Sequence, residues 1–194
     1  MGRPKEFDED QALADAIGVF WREGYEATSI QHLTEAMGIQ RASLYATFGD
    51  KHSLYVRALR HYQQQGLRDL TGELENTDDP RGAILSLLQR SAENSAGRGG
   101  RRGCFCVNAN IELAPQDQKI SKALREHSEA VEALLASAIR RARQLGQPAG
   151  RGDPDQLAVM LYGLIIAMNV LGKQRASRER LQALVEQGAA ALDA

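Results

Sequence analysis

Cysteine, histidine and aromatic residues are scarce in this 194-residue chain, and so is net charge: two Cys, four His, 5% aromatics and a formal charge of −1. Two cysteines separated only by Phe105 cannot lay out the disulfide framework of a small secreted domain. The four histidines are scattered, and there is no H-E-x-x-H, no G-x-S-x-G and no phosphate-binding G-K-S/T, so nothing marks an enzyme. No resident cofactor or metal is called for. A long apolar run is missing too. The best candidate, residues 157–171, is interrupted by Gly163 and Asn169 and is shorter than the roughly 20 residues a membrane span needs. No apolar leader follows Met1, since Gly2-Arg3-Pro4-Lys5 runs directly into charged residues. The expectation is a soluble, cytoplasmic protein without a membrane partner.

What is present points to helices. Apolar residues make up 43% of the chain and charged ones 25%, enough for a real core and against disorder. Little of the sequence favours strands, while Ala, Leu, Gln, Glu and Arg dominate. The length lies between one large domain and two small ones.

Residues 28–51, TSIQHLTEAMGIQRASLYATFGDK, organise the rest. Ile30, Leu33 and Met37 recur at helical spacing, and Gly38 follows where a helix end needs a residue tolerant of positive φ. A second short helix over about 41–47 buries Leu44 and Phe48. It leaves Arg41, Ser43, Tyr45 and Thr47 toward solvent. Two short helices around a Gly-containing turn form a helix-turn-helix, whose second helix fits the DNA major groove. Thr28-x-x-Gln31 and, earlier, Asp8-x-x-Gln11 read as capping boxes. The first helix carries Leu13, Ala16, Ile17, Phe20 and Trp21 as one stripe, and Trp21 is expected in the core. Residues 1–60 hold seven Lys or Arg against nine Asp or Glu. That net acidity argues against a simple basic DNA-binding face and keeps a helical interaction module without DNA binding as an alternative.

The run A-x-x-x-G-I-x-R-A-S-L-Y-x-x-F-G-D-K, with F-W-R-E-G-Y-E-A-T-S-I upstream, resembles the amino-terminal domain of the TetR family of transcriptional regulators. The resemblance covers residues 7 to about 59. Beyond it, residues 103–117, GCFCVNANIELAPQD, look like one subgroup of that family. It implies an all-helical homodimer of about nine helices, with a DNA-binding head over residues 1–50 and an effector-sensing, dimerising body over 51–194. The partners implied are a double-stranded DNA operator, a second copy of the chain and a small-molecule effector. The DNA-facing residues carried over are Arg3 and Lys5 in the arm, Thr28, Ser29 and Gln31 at the first short helix, and Arg41, Ala42, Ser43, Tyr45, Thr47 and Lys51. Arg41 is the one expected to read a base, because a guanidinium matches guanine O6 and N7 bidentately. Ala46 and Thr47 depart from the aromatic and histidine common in the family, which leaves the operator sequence open.

In the body, a fourth helix from Asp50 to about Leu74 links head and body. Residues 95–103, SAGRGGRRG, read as a flexible basic loop. Cys104 follows it at the expected start of a helix, beside Arg101 and Arg102, the setting that lowers a thiol pKa. Cys104 and Cys106 are therefore candidate thiol sensors, or a pair for a soft metal, although buried apolar cysteines are commoner. The resemblance also implies an effector pocket between helices four to eight, with Tyr62, Phe105, Asn108, Met160 and Tyr162 as candidate lining residues. His127 reads as a satisfied core histidine. Residues 157–171 are apolar nearly all round and need cover on both faces. A partner subunit is expected to supply it, with Leu157, Leu161, Leu164, Ile165, Met168, Leu181, Leu184 and Val185 in the interface.

Overall fold

Seven helices begin one residue after an Asp or Ser whose side chain accepts a first-turn N–H: Asp8, Ser29, Asp50, Asp79, Asp117, Asp153 and Ser177. These caps satisfy donors that a helix leaves open, and they place the boundaries. The computed structural model describes residues 7–194, and among these it contains nine α-helices and no strand. They are α1 (Glu9–Glu23), α2 (Ile30–Met37), α3 (Arg41–Phe48), α4 (Lys51–Glu75) and α5 (Pro80–Ala96), then α6 (Phe105–Glu112), α7 (Gln118–Gln144), α8 (Pro154–Lys173) and α9 (Arg178–Asp193). The all-α expectation holds. Two helices lack a side-chain cap bond, α3 behind Gln40 and α6 behind Cys104. Those are the two helices on which function was expected.

Two apolar clusters form the interior. One joins α1, α2, α3 and the first half of α4 to α6 and the start of α7, through Phe20, Leu33, Leu44, Leu54, Tyr55, Phe105 and Ile120. The other packs α5, α7, α8, α9 and the end of α4, around Leu88, Leu135, Ile139, Leu161 and Met168. The short helix α6 thus belongs to the head's core although it lies far along the sequence. α4 runs through both clusters.

Several expectations need correction. The segment 95–103 is not an open loop. α5 continues through Ala96, Arg98–Arg102 forms a 3-10 turn, and Gly100 and Gly103 are buried. Gly103 needs its lack of a side chain, because its φ is +66° and a Cβ would meet the Lys173 stem at 2.9 Å. The capping boxes form only by half. Gln11 and Gln31 turn away from the cap, their amides donating to Asp15 and Glu35 four residues on. The cap of α2 is Ser29, which accepts from His32 N. His127 is half-buried, its Nδ1 has no hydrogen-bond partner among the described residues, and burial lowers its pKa.

The expected dimer surface also changes. Leu157, Leu161, Met168, Leu181 and Val185 are buried inside the protomer, and Leu164, Ile165 and Leu184 pack against the same core. α5 and α7 cover that face of α8. A helix that is apolar all round gives no sign in sequence of which face its own chain will cover. The face left outward is Val159, Met160, Gly163, Ile166, Ala167 and Val170, of which Val159 is 54% and Met160 40% exposed.

Candidate nucleic-acid interface and thiol site

α3 stands out from the head on two buried anchors, Leu44 and Phe48, both 3% exposed or less. Gly38, in the left-handed conformation with φ +63°, turns the chain between α2 and α3. Arg41, Ala42, Tyr45 and Ala46 lie exposed along α3, and Ser43 and Thr47 are half-buried. Arg41 Nη2 donates to Tyr45 Oη at 3.3 Å, and the guanidinium lies 5.6 Å from that ring's centre. This contact holds a long cation on the outward face of α3. With no side-chain cap at Gln40, the first-turn N–H groups of α3 are open to an anion, the arrangement that suits a phosphate.

Other expected contacts have different roles. Thr28 is 1% exposed and its hydroxyl donates to Gly24 O at 2.6 Å, so it shapes the turn before α2 and cannot face DNA. Lys51 Nζ donates to Thr28 O at 2.8 Å and sits 4.4 Å from the Tyr25 ring, so its ammonium fixes the same turn. Ser29 and Gln31 are exposed at the start of α2. Arg3 and Lys5 lie outside the described residues.

Three long-range contacts that sequence reading missed tie α1, the α1–α2 turn and α4 to the segment around α6. Trp21 is half-buried and its indole N–H donates to Gly103 O at 2.9 Å. Glu112 Oε1 accepts from the backbone N–H of Tyr25 at 2.8 Å and of Glu26 at 3.1 Å. His52 on α4 pairs with Asp117, the cap of α7. Gly103 precedes α6, Glu112 ends it and Asp117 follows shortly after. Tyr25 and Glu112 are 87 residues apart, and single-sequence periodicity carries no signal for such a pair.

Cys104 occupies the N-cap of α6 and is half-buried. Its thiol pKa is lowered to about 6, chiefly by the Cys106 thiol donating to it, with help from the N–H groups of Val107 and Cys106 and the Tyr62 hydroxyl. Burial opposes the shift and loses. Tyr62 Oη lies 3.9 Å from Cys104 Sγ. Cys106 is buried, and its pKa is pushed up by the same thiol–thiol contact and by burial. Electrons at this pair therefore concentrate on Cys104, whose thiolate is the reactive form.

A cavity of about 520 Å³ opens beside Cys104, with Trp21, Tyr62, Ser95, Arg102 and Asn169 among its walls. Of the expected effector residues, Tyr62 lines it. Phe105 is buried beneath the Tyr62 ring at 5.6 Å, and Asn108 bridges Arg102 O and Lys173 Nζ. Met160 and Tyr162 are not brought there. Met160 points out from α8, and Tyr162 packs half-buried in the second cluster, where burial raises its pKa to about 12. A helix-wide apolar pattern could not separate these faces.

Residues 12–58 match the family described as bacterial regulatory proteins, tetR family, and residues 80–188 match the tetracyclin repressor-like C-terminal domain. The HTH-type transcriptional regulator YezE of Bacillus subtilis is 31% identical over the full length of both chains. The HTH-type transcriptional repressor ComR of Escherichia coli is 30% identical, over 93% of this chain and 86% of its own. A cysteine-substituted form of the TetR family regulator CifR, solved with 26-base-pair operator DNA, superposes with a TM-score of 0.82 at 35% identity, covering 97% of this chain and 99% of that one. On its helix-turn-helix head, its all-helical body and these matches, the chain belongs to the TetR family of DNA-binding transcriptional regulators.

Proposed function

We propose that the chain acts as a homodimeric repressor that holds a pseudo-palindromic operator and releases it when its body binds a small molecule or is modified at Cys104. The observation that supports this reading is the position of Cys104. It occupies the N-cap position of α6, and the same short helix, with Gly103 before it, holds the head through Trp21, Tyr25 and Glu26. A change at the thiol is thus one helix away from the recognition helix. Residues 1–50 serve as the DNA-binding head and 51–194 as the sensing and dimerising body, with segment 103–117 marking a subgroup of the family.

Within the head, Arg41 reads a base, and Ala42, Ser43, Tyr45, Thr47, Ser29 and Gln31 contact the neighbouring groove and phosphates. The arm residues Arg3 and Lys5 join them. A twofold dimer sets the two half-sites about 34–36 Å apart or a multiple of that. The CifR complex with operator DNA supports the assignment over an interaction module without DNA binding. Acting on DNA places the protein in the cytoplasm. The outward face of α8 is assigned to the second subunit, not to a membrane. A soft-metal site is not part of this reading. Among the described residues no three of His, Cys, Asp and Glu come together, and two thiols alone are an incomplete donor set.

Replacing Arg41 by Ala should cost about 1–3 kcal/mol of discrimination at one base-pair position, seen as relaxed preference there in operator selection. If selection profiles stay unchanged, Arg41 does not read a base. The response is tested with the reduced dimer on its selected operator, titrated with a mild electrophile. Wild type should let go and Cys104→Ser should not. Equal release from both would remove the thiol from the mechanism, and release from neither would leave a reversible ligand in the cavity. Alkylation of Cys104 should accelerate as pH rises through about 6 and level off above it, since the thiolate fraction then saturates.

A further inference from the structure

The Cys104 cavity is larger than a simple oxidant requires. Its volume of about 520 Å³ suits an organic molecule, whereas a peroxide needs little more room than water. Trp21 and Tyr62 give it aromatic walls, set edge to face with centroids 5.3 Å apart. Ser95 is 5% exposed and belongs to the wall, a polar residue among the aromatic ones.

Charge at the rim is one-sided. Residues 99–104 include Arg101 and Arg102 and no acid. Arg102 stands on the wall, 4.9 Å from the centre of the Trp21 ring, and Lys173 approaches through Gly103 and Asn108. Arg101 is exposed beside Arg102 in sequence, and none of these three cations is in an ion pair among the described residues. Against them the wall presents one carboxylate, Glu93, whose Oε1 accepts from Gln89 Nε2 at 2.9 Å. Such a rim concentrates anions at the mouth.

We propose that the cavity takes an anionic low-molecular-weight disulfide and that Cys104 is S-thiolated by it. This rests on the thiol reading above and names its reagent. Cys104 Sγ, as thiolate, attacks one sulfur of the disulfide and forms a mixed disulfide with that half. The reagent's own S–S bond breaks, and its other half leaves as a thiolate. The protein thiol is oxidised and the departing half is reduced, so no further oxidant enters. Cys106 then matters by its inertness. Its burial still favours the protonated thiol once Cys104 is capped, a poor nucleophile toward the new bond, so the adduct persists. The captured group occupies the space against Trp21, whose indole holds the head to Gly103.

Three aliphatic disulfides of similar length separate charge from reactivity: 3,3′-dithiodipropionate (dianion), 2-hydroxyethyl disulfide (neutral) and cystamine (dication). Each rate of adduct formation at Cys104, followed by mass spectrometry, is divided by its rate with free N-acetylcysteine. The dianion should lead the dication by about tenfold or more at low salt, and Arg102→Gln or added salt should shrink that ratio several-fold. Operator release should track adduct formation. Equal normalised rates for all three, with release intact, would overturn anion selection and leave the thiol switch standing. No adduct at Cys104 with any of the three would overturn this inference and leave the electrophile response standing, whereas an adduct without operator release would overturn the switch on which it rests. The charge series on wild type alone decides the matter if Arg102→Gln fails to fold.

Discussion

A Gly163→Arg chain should fold normally, run as a monomer and lose its operator. Gly163 lies mid-way along α8 on the outward face, and a Cβ there meets nothing within 4 Å in the protomer. Within one subunit the change is therefore harmless, and replacing a helix-interior glycine should even favour the helix by roughly 0.5–1 kcal/mol. Across a helix–helix dimer it is not, because Gly163 is the small residue between Met160 and Ile166 that lets a partner helix come close. A guanidinium there puts a long charged group into an apolar contact. Each head would then find its half-site alone. The loss of linkage between two binding events is worth about 10²–10⁴ in operator affinity. Sedimentation and a shift assay read both effects. A chain that stays dimeric, with operator affinity intact, would show that the subunits do not meet on this face of α8.

That outward stripe also marks where the sequence stops being informative. The nine helices are legible because each level agrees: periodic apolar residues, an Asp or Ser before most starts, and Gly24, Gly38 and Gly97 at ends. The helix-turn-helix is legible for the same reason. What periodicity cannot supply is the identity of the neighbour. α8 is apolar on every side, so the residues its own α5 and α7 cover look the same as those left open, and five interface assignments fell in the protomer's core. Thr28 misled similarly. A Thr before a helix reads as a cap or a phosphate contact, but its hydroxyl bonds backward to Gly24, and Ser29 caps the helix instead. The basic segment 95–103 looks like a flexible loop by composition, yet its glycines are small because other groups press on them. Lys173 lies against Gly103 and the Ser95 backbone against Gly100. For α8 and Gly103 the missing information is a contact distant in sequence, and for Thr28 and Gly100 it is local backbone geometry that composition does not carry.

Glu112→Ala should leave the chain folded and dimeric but disconnect the head from the thiol. Nothing about Glu112 in sequence suggests more than the end of a short helix before Pro115. In the fold its carboxylate accepts two backbone N–H groups of the α1–α2 turn, at 2.8 and 3.1 Å, and the turn leads directly into α2. Hydrogen bonds to a charged group contribute about 1.5–3 kcal/mol each, and the exposed N–H of Glu26 can recover water when the carboxylate is gone. The cost to global stability should therefore be modest, about 1–3 kcal/mol. The cost to coupling should be larger, because the α6 segment then keeps the Trp21–Gly103 bond and its apolar packing around Phe105 but loses its polar grip on the α1–α2 turn. Operator affinity of the reduced protein should fall several-fold as the head's orientation loosens. The ratio of affinities before and after Cys104 modification should collapse toward one. Glu112→Gln keeps an acceptor oxygen without the charge and should restore part of that ratio, which a merely destabilising change would not do. A Glu112→Ala protein that still loses its operator on Cys104 modification as fully as wild type would move the coupling elsewhere, to the His52–Asp117 contact between α4 and α7. On the present geometry the shorter route runs through α6, since one eight-residue helix carries the thiol at its first end and the carboxylate at its last.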